Sequence, residues 1–222
     1  MGFNIWKSET RSSLRSFLDT ILKGIPYVIT GGFAVQIYAY SYNDKSFNRR
    51  ETKDIDIIVD KNSREELINI LNNARIFYGV EKSSVKDCIR IYDGPNRWYS
   101  ICFDELPDWE IVEVRNIKVR VESLESLLAN KFATYLSRSE QKDLDDLNEI
   151  VKLLKKRGKI NKEALTKAMK RYKIVDHTEK MFWLYLEYHG LISNAEEYVE
   201  FEDEEEKREL LYHLKSRFLI SS

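Results

Sequence analysis

Tyr27-Val-Ile-Thr runs directly into Gly31-Gly32 and on into Phe33-Ala-Val-Gln-Ile-Tyr-Ala-Tyr, with no linker between the pieces. The four leading residues are aromatic or mostly β-branched and read as a buried strand. The trailing run carries a helical pattern. A chain that passes from strand to helix through two glycines aims the first N–H groups of the helix at one point, with no Cβ in the way. The fold must therefore include a sheet with a helix springing from a strand end.

The flanking segments extend that layout. Residues 8–22 place Leu14, Phe17, Leu18, Ile21 and Leu22 at helical spacing, and Gly24 and Pro26 end the run. A polar loop over 41–53 leads into Asp54-Ile-Asp-Ile-Ile-Val, whose alternation marks a strand with two different faces. Ser63 and Glu66 have capping-box spacing ahead of Leu67, Ile70 and Leu71. Cys88-Ile-Arg-Ile-Tyr and Trp98-Tyr-Ser-Ile-Cys-Phe flank Asp-Gly-Pro-Asn, a hairpin pattern, and short strands are expected over 111–114 and 117–121.

From Ser123 onward the periodicity is helical. Helices are expected over about 124–136 and 140–156 with Gly158 as the stop, then one capped by Asn161, then 182–188 and 207–218. The reading is α+β: a mixed β-sheet with flanking helices over residues 1–121, followed by a helical part over 122–222. The aromatic run at 181–188 reads as helix core, and the acidic run at 202–206 as a solvated helix start.

Composition narrows the partners. Hydrophobic residues are 43% and charged residues 33%, which suits a globular chain rather than a disordered one. No apolar stretch nears the roughly 20 residues a bilayer span requires, so no membrane partner is expected. A net charge of −1 gives no global field to attract nucleic acid. Cys88 and Cys102 are too few for a disulfide scaffold and read as reduced thiols of a cytoplasmic protein. The three histidines lack zinc-ligand spacing.

Asp54 and Asp56 supply the chemistry. Two apart on a strand, they share a face with Cα atoms roughly 6.5–7 Å apart. Paired carboxylates repel unless a cation joins them, and Mg2+ readily takes one or two carboxylates together with phosphate oxygens. A phosphate cradle at Gly31-Gly32 with such a strand some two dozen residues downstream makes a coherent phosphoryl-transfer arrangement.

Ile29-Thr-Gly-Gly-Phe-Ala followed by Arg49-Arg-Glu-Thr-Lys-Asp-Ile-Asp-Ile-Ile-Val resembles the signature of the DNA polymerase β-like nucleotidyltransferase superfamily. The wording is closest to small prokaryotic members that include abortive-infection and toxin–antitoxin nucleotidyltransferases. The resemblance spans roughly residues 27–154. It implies a nucleotidyltransferase-like mixed sheet, with Asp54 and Asp56 binding Mg2+ (or Mn2+) and a nucleoside triphosphate, and with Gly31, Gly32, Thr52 and Lys53 lining the nucleotide site. It also implies a third carboxylate acting as ligand and base, for which Asp104 is the first candidate and Glu113 the second. Val119-Arg-Val-Glu-Ser-Leu-Glu-Ser-Leu-Leu-Ala-Asn-Lys, Arg138 and Lys142-Asp-Leu-Asp-Asp-Leu are similar to the family's next segment, which carries Lys131, Asp143 and Asp146 to the nucleotide. Read from the residues alone, Lys131 is a snorkelling surface lysine.

The activity so implied moves a nucleoside monophosphate from a triphosphate to a hydroxyl acceptor, a protein, an RNA end or a small molecule, and releases pyrophosphate. The alternative is a nucleotide-binding module with reduced catalysis, or one component of a toxin–antitoxin pair with a cognate protein partner.

Overall fold

The computed structural model describes residues 2–47, 51–74, 79–83 and 87–218. The chain divides into two compact units, Met1–Ser123 and Leu124–Ser222.

The first unit contains α1 (Ser8–Thr20), β1 (Tyr27–Thr30), α2 (Gly31–Ser41), β2 (Asp54–Asp60), α3 (Arg64–Asn73), β3 (Val80–Lys82), β4 (Cys88–Tyr92), β5 (Trp98–Asp104), β6 (Trp109–Val114) and β7 (Ile117–Glu122). The seven strands form one sheet in the order β3-β4-β5-β2-β1-β7-β6. It is mixed: β2 runs parallel to β5 and β1 parallel to β7, while the other neighbours are antiparallel.

Alternation along β2 determines what each face does. Ile55, Ile57 and Val59 are buried, whereas Asp54, Asp56, Ile58 and Asp60 between them are half-buried. Tyr99 stands opposite Ile55 on the apolar face, and Phe17 of α1 stacks on it with ring centroids 3.7 Å apart. Phe3 bridges Tyr99 and Phe33 of α2 on the same side. Two helices and the N-terminal segment thus cover one face of the sheet, and the Asp54–Asp56 face is the other.

Two local expectations are corrected here. Ser63 makes no capping bond at α3; the preceding 3-10 turn is capped by Asp60, whose side chain accepts from the Asn62 N–H at 2.8 Å. Cys88 and Cys102 are joined as a disulfide rather than being free thiols. The hairpin register explains this, because it sets the two residues directly opposite each other on β4 and β5 with Cα atoms 4.1 Å apart.

The second unit is helical: α4 (Leu124–Arg138), α5 (Gln141–Arg157), α6 (Lys162–Arg171), α7 (Asp176–Tyr188) and α8 (Glu204–Phe218). Asn161 caps α6 by accepting from the Ala164 N–H, and Gly158 ends α5 in the left-handed region at φ 77°. The aromatic run of α7 is core: Phe132 of α4 packs against Phe182, Tyr185 and Phe218. No described helix is long and apolar enough to cross a membrane.

His189 follows α7 with its ring 4.4 Å from that of Tyr185 and 5.3 Å from that of Tyr188. Burial, and secondarily the charge of Lys155, push its pKa down to about 4 from the ordinary 6.5. Folding therefore holds it neutral. Its contribution to stability is complete above pH 6.5 and declines as pH falls from 6.5 towards 4, where the unfolded chain alone takes up the proton. Discounted for partial exposure, the expected loss is about 1–2 kcal/mol. Urea unfolding at pH 7.5 and 4.5 measures it, and His189→Gln should flatten that part of the profile.

Candidate active site

The site starts from the β1–α2 junction. Gly31 has φ +68°, a conformation that L side chains rarely adopt. A Cβ placed there would lie 2.5 Å from Asp56 Oδ2. The backbone conformation thus calls for glycine, and a side chain there would in addition push the Asp56 carboxylate aside. Gly32 is the second residue of α2. Gly31→Ala is expected to displace the Asp56 side chain and to cost about 1–3 kcal/mol of stability. A thermal melt together with triphosphate titration would show both effects, and an unchanged melt with unchanged binding would contradict the assignment.

Strand pairing assembles the rest. Asp56 stands opposite Thr30 on β1 and opposite Ser100 on β5. Asp54 lies two residues earlier on β2 and shares the Asp56 face. On the far side of β1, Ile29 pairs with Val121, so Thr30 and Glu122 are neighbours, and the Thr30 hydroxyl donates to Glu122 Oε2. Glu122 is fully buried. A row of polar side chains, Ser100, Asp56, Thr30 and Glu122, therefore crosses four strands beside the glycine turn.

The remaining expected residues fall in different places. Thr52 donates its hydroxyl to the Asp54 carbonyl at 2.6 Å, and its backbone pairs with Phe3, so it anchors the entry to β2. Lys53 is exposed, and its carbonyl accepts from the Trp98 N–H. Asp104 does not join the pair. The parallel register sets it opposite Asp60, four residues beyond Ser100 and roughly 13 Å along the strand from the Asp56 level. Glu113 is no closer: it stands opposite Lys118 at the outer β6–β7 pair. Arg49 and Arg50 of the motif lie outside the described residues.

Lys131, Asp143 and Asp146 are brought together in the second unit. The Lys131 ammonium lies 3.0 Å from Asp143 Oδ1 and 2.8 Å from Asp146 Oδ2, with side-chain exposures of 10%, 2% and 0% in that order. Lys131 is thus not a snorkelling surface side chain. Burial pulls its pKa down, but the two carboxylates outweigh that and leave it raised.

Among the described residues no group of three or more His, Cys, Asp or Glu is disposed to hold a metal ion. Two carboxylates on one strand face do meet the needs of Mg2+ when phosphate oxygens and water complete its shell. The Asp54–Asp56 pair fits that cation in the presence of a triphosphate.

Glu122 and Ser100 are the residues that sequence reasoning passed over. Each reads as an ordinary strand position until the pairing is known. The one available signal for Glu122 was an acid closing an apolar strand.

No family model matches this chain, and no curated protein does. Solved structures give distant likenesses. A lincomycin-bound lincosamide antibiotic adenylyltransferase, LnuA, aligns at 16% identity and TM-score 0.47, over 65% of this chain and 96% of that one. The antibiotic-resistance factor ANT(2'')-Ia aligns at 15% identity and TM-score 0.48, over 81% and 97%. An antigenic nucleotidyltransferase-like protein from Paracoccidioides brasiliensis aligns at 16% identity and TM-score 0.45, over 72% and 84%. At such identities and scores, function has to be read from the residues.

Proposed function

We propose that this chain is a metal-dependent nucleotidyltransferase that moves a nucleoside monophosphate from a triphosphate to a hydroxyl acceptor. One observation carries the reading: Gly31, at φ +68°, leaves no room for a Cβ against Asp56, which shares its strand face with Asp54. A glycine turn at a helix N-terminus suits phosphate, and the adjoining acids suit a cation that bridges to that phosphate. Neither group is explained as well by folding alone, because two carboxylates on one face repel.

Asp54 and Asp56 would hold Mg2+ or Mn2+, which when bound neutralises phosphate charge and favours in-line displacement. The first N–H groups of α2, at the positive end of its dipole, orient the triphosphate. The acceptor hydroxyl oxygen forms a bond to the α-phosphorus as the bond to the bridging oxygen breaks. Pyrophosphate leaves, and the acceptor proton passes to solvent. Thr52 and Lys53 frame the entry to β2, and Asp104 has no part in this scheme. Lys131, Asp143 and Asp146 form the polar centre of the helical unit, where any phosphate reaching Lys131 competes with two carboxylates.

A second reading, a nucleotide-binding module without turnover, is favoured by Ser100 standing on β5 at the level of Asp56 where a third acid would otherwise serve. One experiment separates the two. The protein is titrated calorimetrically with ATP, GTP, CTP and UTP in Mg2+, then incubated with each α-labelled triphosphate and cell lysate, with pyrophosphate assayed and labelled products identified by mass spectrometry. Transfer supports the enzyme and names the acceptor as protein, RNA or small molecule. Binding without transfer supports the module, and no binding at all removes both readings.

A further inference from the structure

Thr30 occupies the N-cap position of α2, where a threonine side chain normally accepts from an N–H of the first turn. Here it makes no capping bond. Its hydroxyl donates instead to Glu122, 92 residues away in sequence and fully buried at the end of β7. The first turn of α2 also carries no acidic residue of its own. The Asp54–Asp56 face adjoins this same turn.

We propose that Glu122 is a positioning residue that turns the Thr30 hydroxyl away from the α2 N-terminus and so keeps the first N–H groups available to a triphosphate. This deepens the nucleotidyltransferase reading and rests on it. A threonine released from Glu122 is able to turn its oxygen toward the N–H groups two or three residues on, the usual acceptor role at this position. Such a cap occupies the donors a phosphate oxygen requires. Donation to the Glu122 carboxylate, a charge-assisted hydrogen bond, fixes the direction of the Thr30 side chain, and the parallel β1–β7 pairing sets that acceptor within reach on the side away from Asp56. Glu122 acts through Thr30 and touches neither nucleotide nor metal.

The test is a pair of substitutions read by binding and by steady-state kinetics. Glu122→Ala releases the Thr30 hydroxyl to cap α2. Kd for Mg-ATP, or for whichever of the four triphosphates the wild type prefers, should rise about fivefold, the equivalent of one cap. KM should rise in parallel while kcat stays within a factor of two. Glu122→Gln, which keeps an acceptor oxygen, should lose less than twofold. The decisive variant is Glu122→Leu combined with Thr30→Val, which has no hydroxyl to form the cap and should regain wild-type Kd. A merely structural role for Glu122 gives no such rescue.

Wild-type Kd in Glu122→Ala, or a double variant as weak as Glu122→Ala, would overturn the inference. So would a loss in Glu122→Gln equal to that in Glu122→Ala, since charge rather than hydroxyl steering would then be responsible. Thermal melts accompany each variant, and if Glu122→Ala does not fold, Glu122→Leu with Thr30 retained takes its place: Kd raised about fivefold there and restored in the double variant supports the inference, and equal Kd in the two overturns it. Wild type that binds none of the four triphosphates removes the nucleotidyltransferase reading itself, and this inference with it. That outcome is visible before any variant is made.

Discussion

Asp56→Asn is expected to lower nucleotidyl transfer by about a thousandfold or more, since a metal-phosphate contact supplies several kcal/mol of transition-state stabilisation. The fold should survive. Asp56 is half-buried on the polar face of β2, the amide is isosteric with the carboxylate, and its removal relieves repulsion from Asp54. The melting temperature should therefore be equal to or slightly above that of the wild type. Asp54→Asn should behave alike, and the double substitution should cost little more than either single one, because both residues serve the same cation. Pyrophosphate release and circular dichroism on the same preparations give the two halves of the result. Transfer at the wild-type rate in Asp56→Asn would end the mechanism.

The largest effect on stability is expected at Lys131. Its ammonium sits between Asp143 and Asp146, and neither carboxylate has appreciable access to water. Lys131→Met keeps all but the last atom of the side chain's length but leaves two like charges buried without a partner, which costs about 3–5 kcal/mol. A Lys131→Met/Asp143→Asn/Asp146→Asn variant removes the charges together and should recover most of that loss. Chemical denaturation of the three proteins resolves the question. A single variant as stable as the wild type would show that the triad is dispensable and would reopen Lys131 as a ligand for phosphate.

Features that depend on neighbouring residues were legible from the sequence. The strand, glycine turn and helix at residues 27–41 and the alternation of β2 are local patterns, and the structure has both elements where the pattern puts them. The β4–β5 hairpin is equally local. What failed to show was register between strands distant in sequence. Asp104 was the first candidate for a third acid through the resemblance, yet the parallel pairing of β2 with β5 sets it at the level of Asp60. Glu122 showed only as an acid closing a strand, because its meaning depends on β7 lying beside β1. Cys88 and Cys102 read as thiols on composition, whereas their bonding follows from a register that places them face to face. The Ser63 box failed because Asp60 capped a turn one step earlier.

The strand order also sets a timetable for synthesis. β1 sits between β2 and β7, so the strand that carries the glycine turn acquires its second neighbour only when residues 117–122 have been made. Closing a loop of that length is a late and entropically costly step. A ribosome that has finished β2 has already produced Gly31, Asp54 and Asp56, but Thr30 at that stage has no Glu122 to hold its hydroxyl. If Glu122 steers Thr30 as proposed, the arrangement around the glycine turn is complete only once the last strand of the sheet has been made.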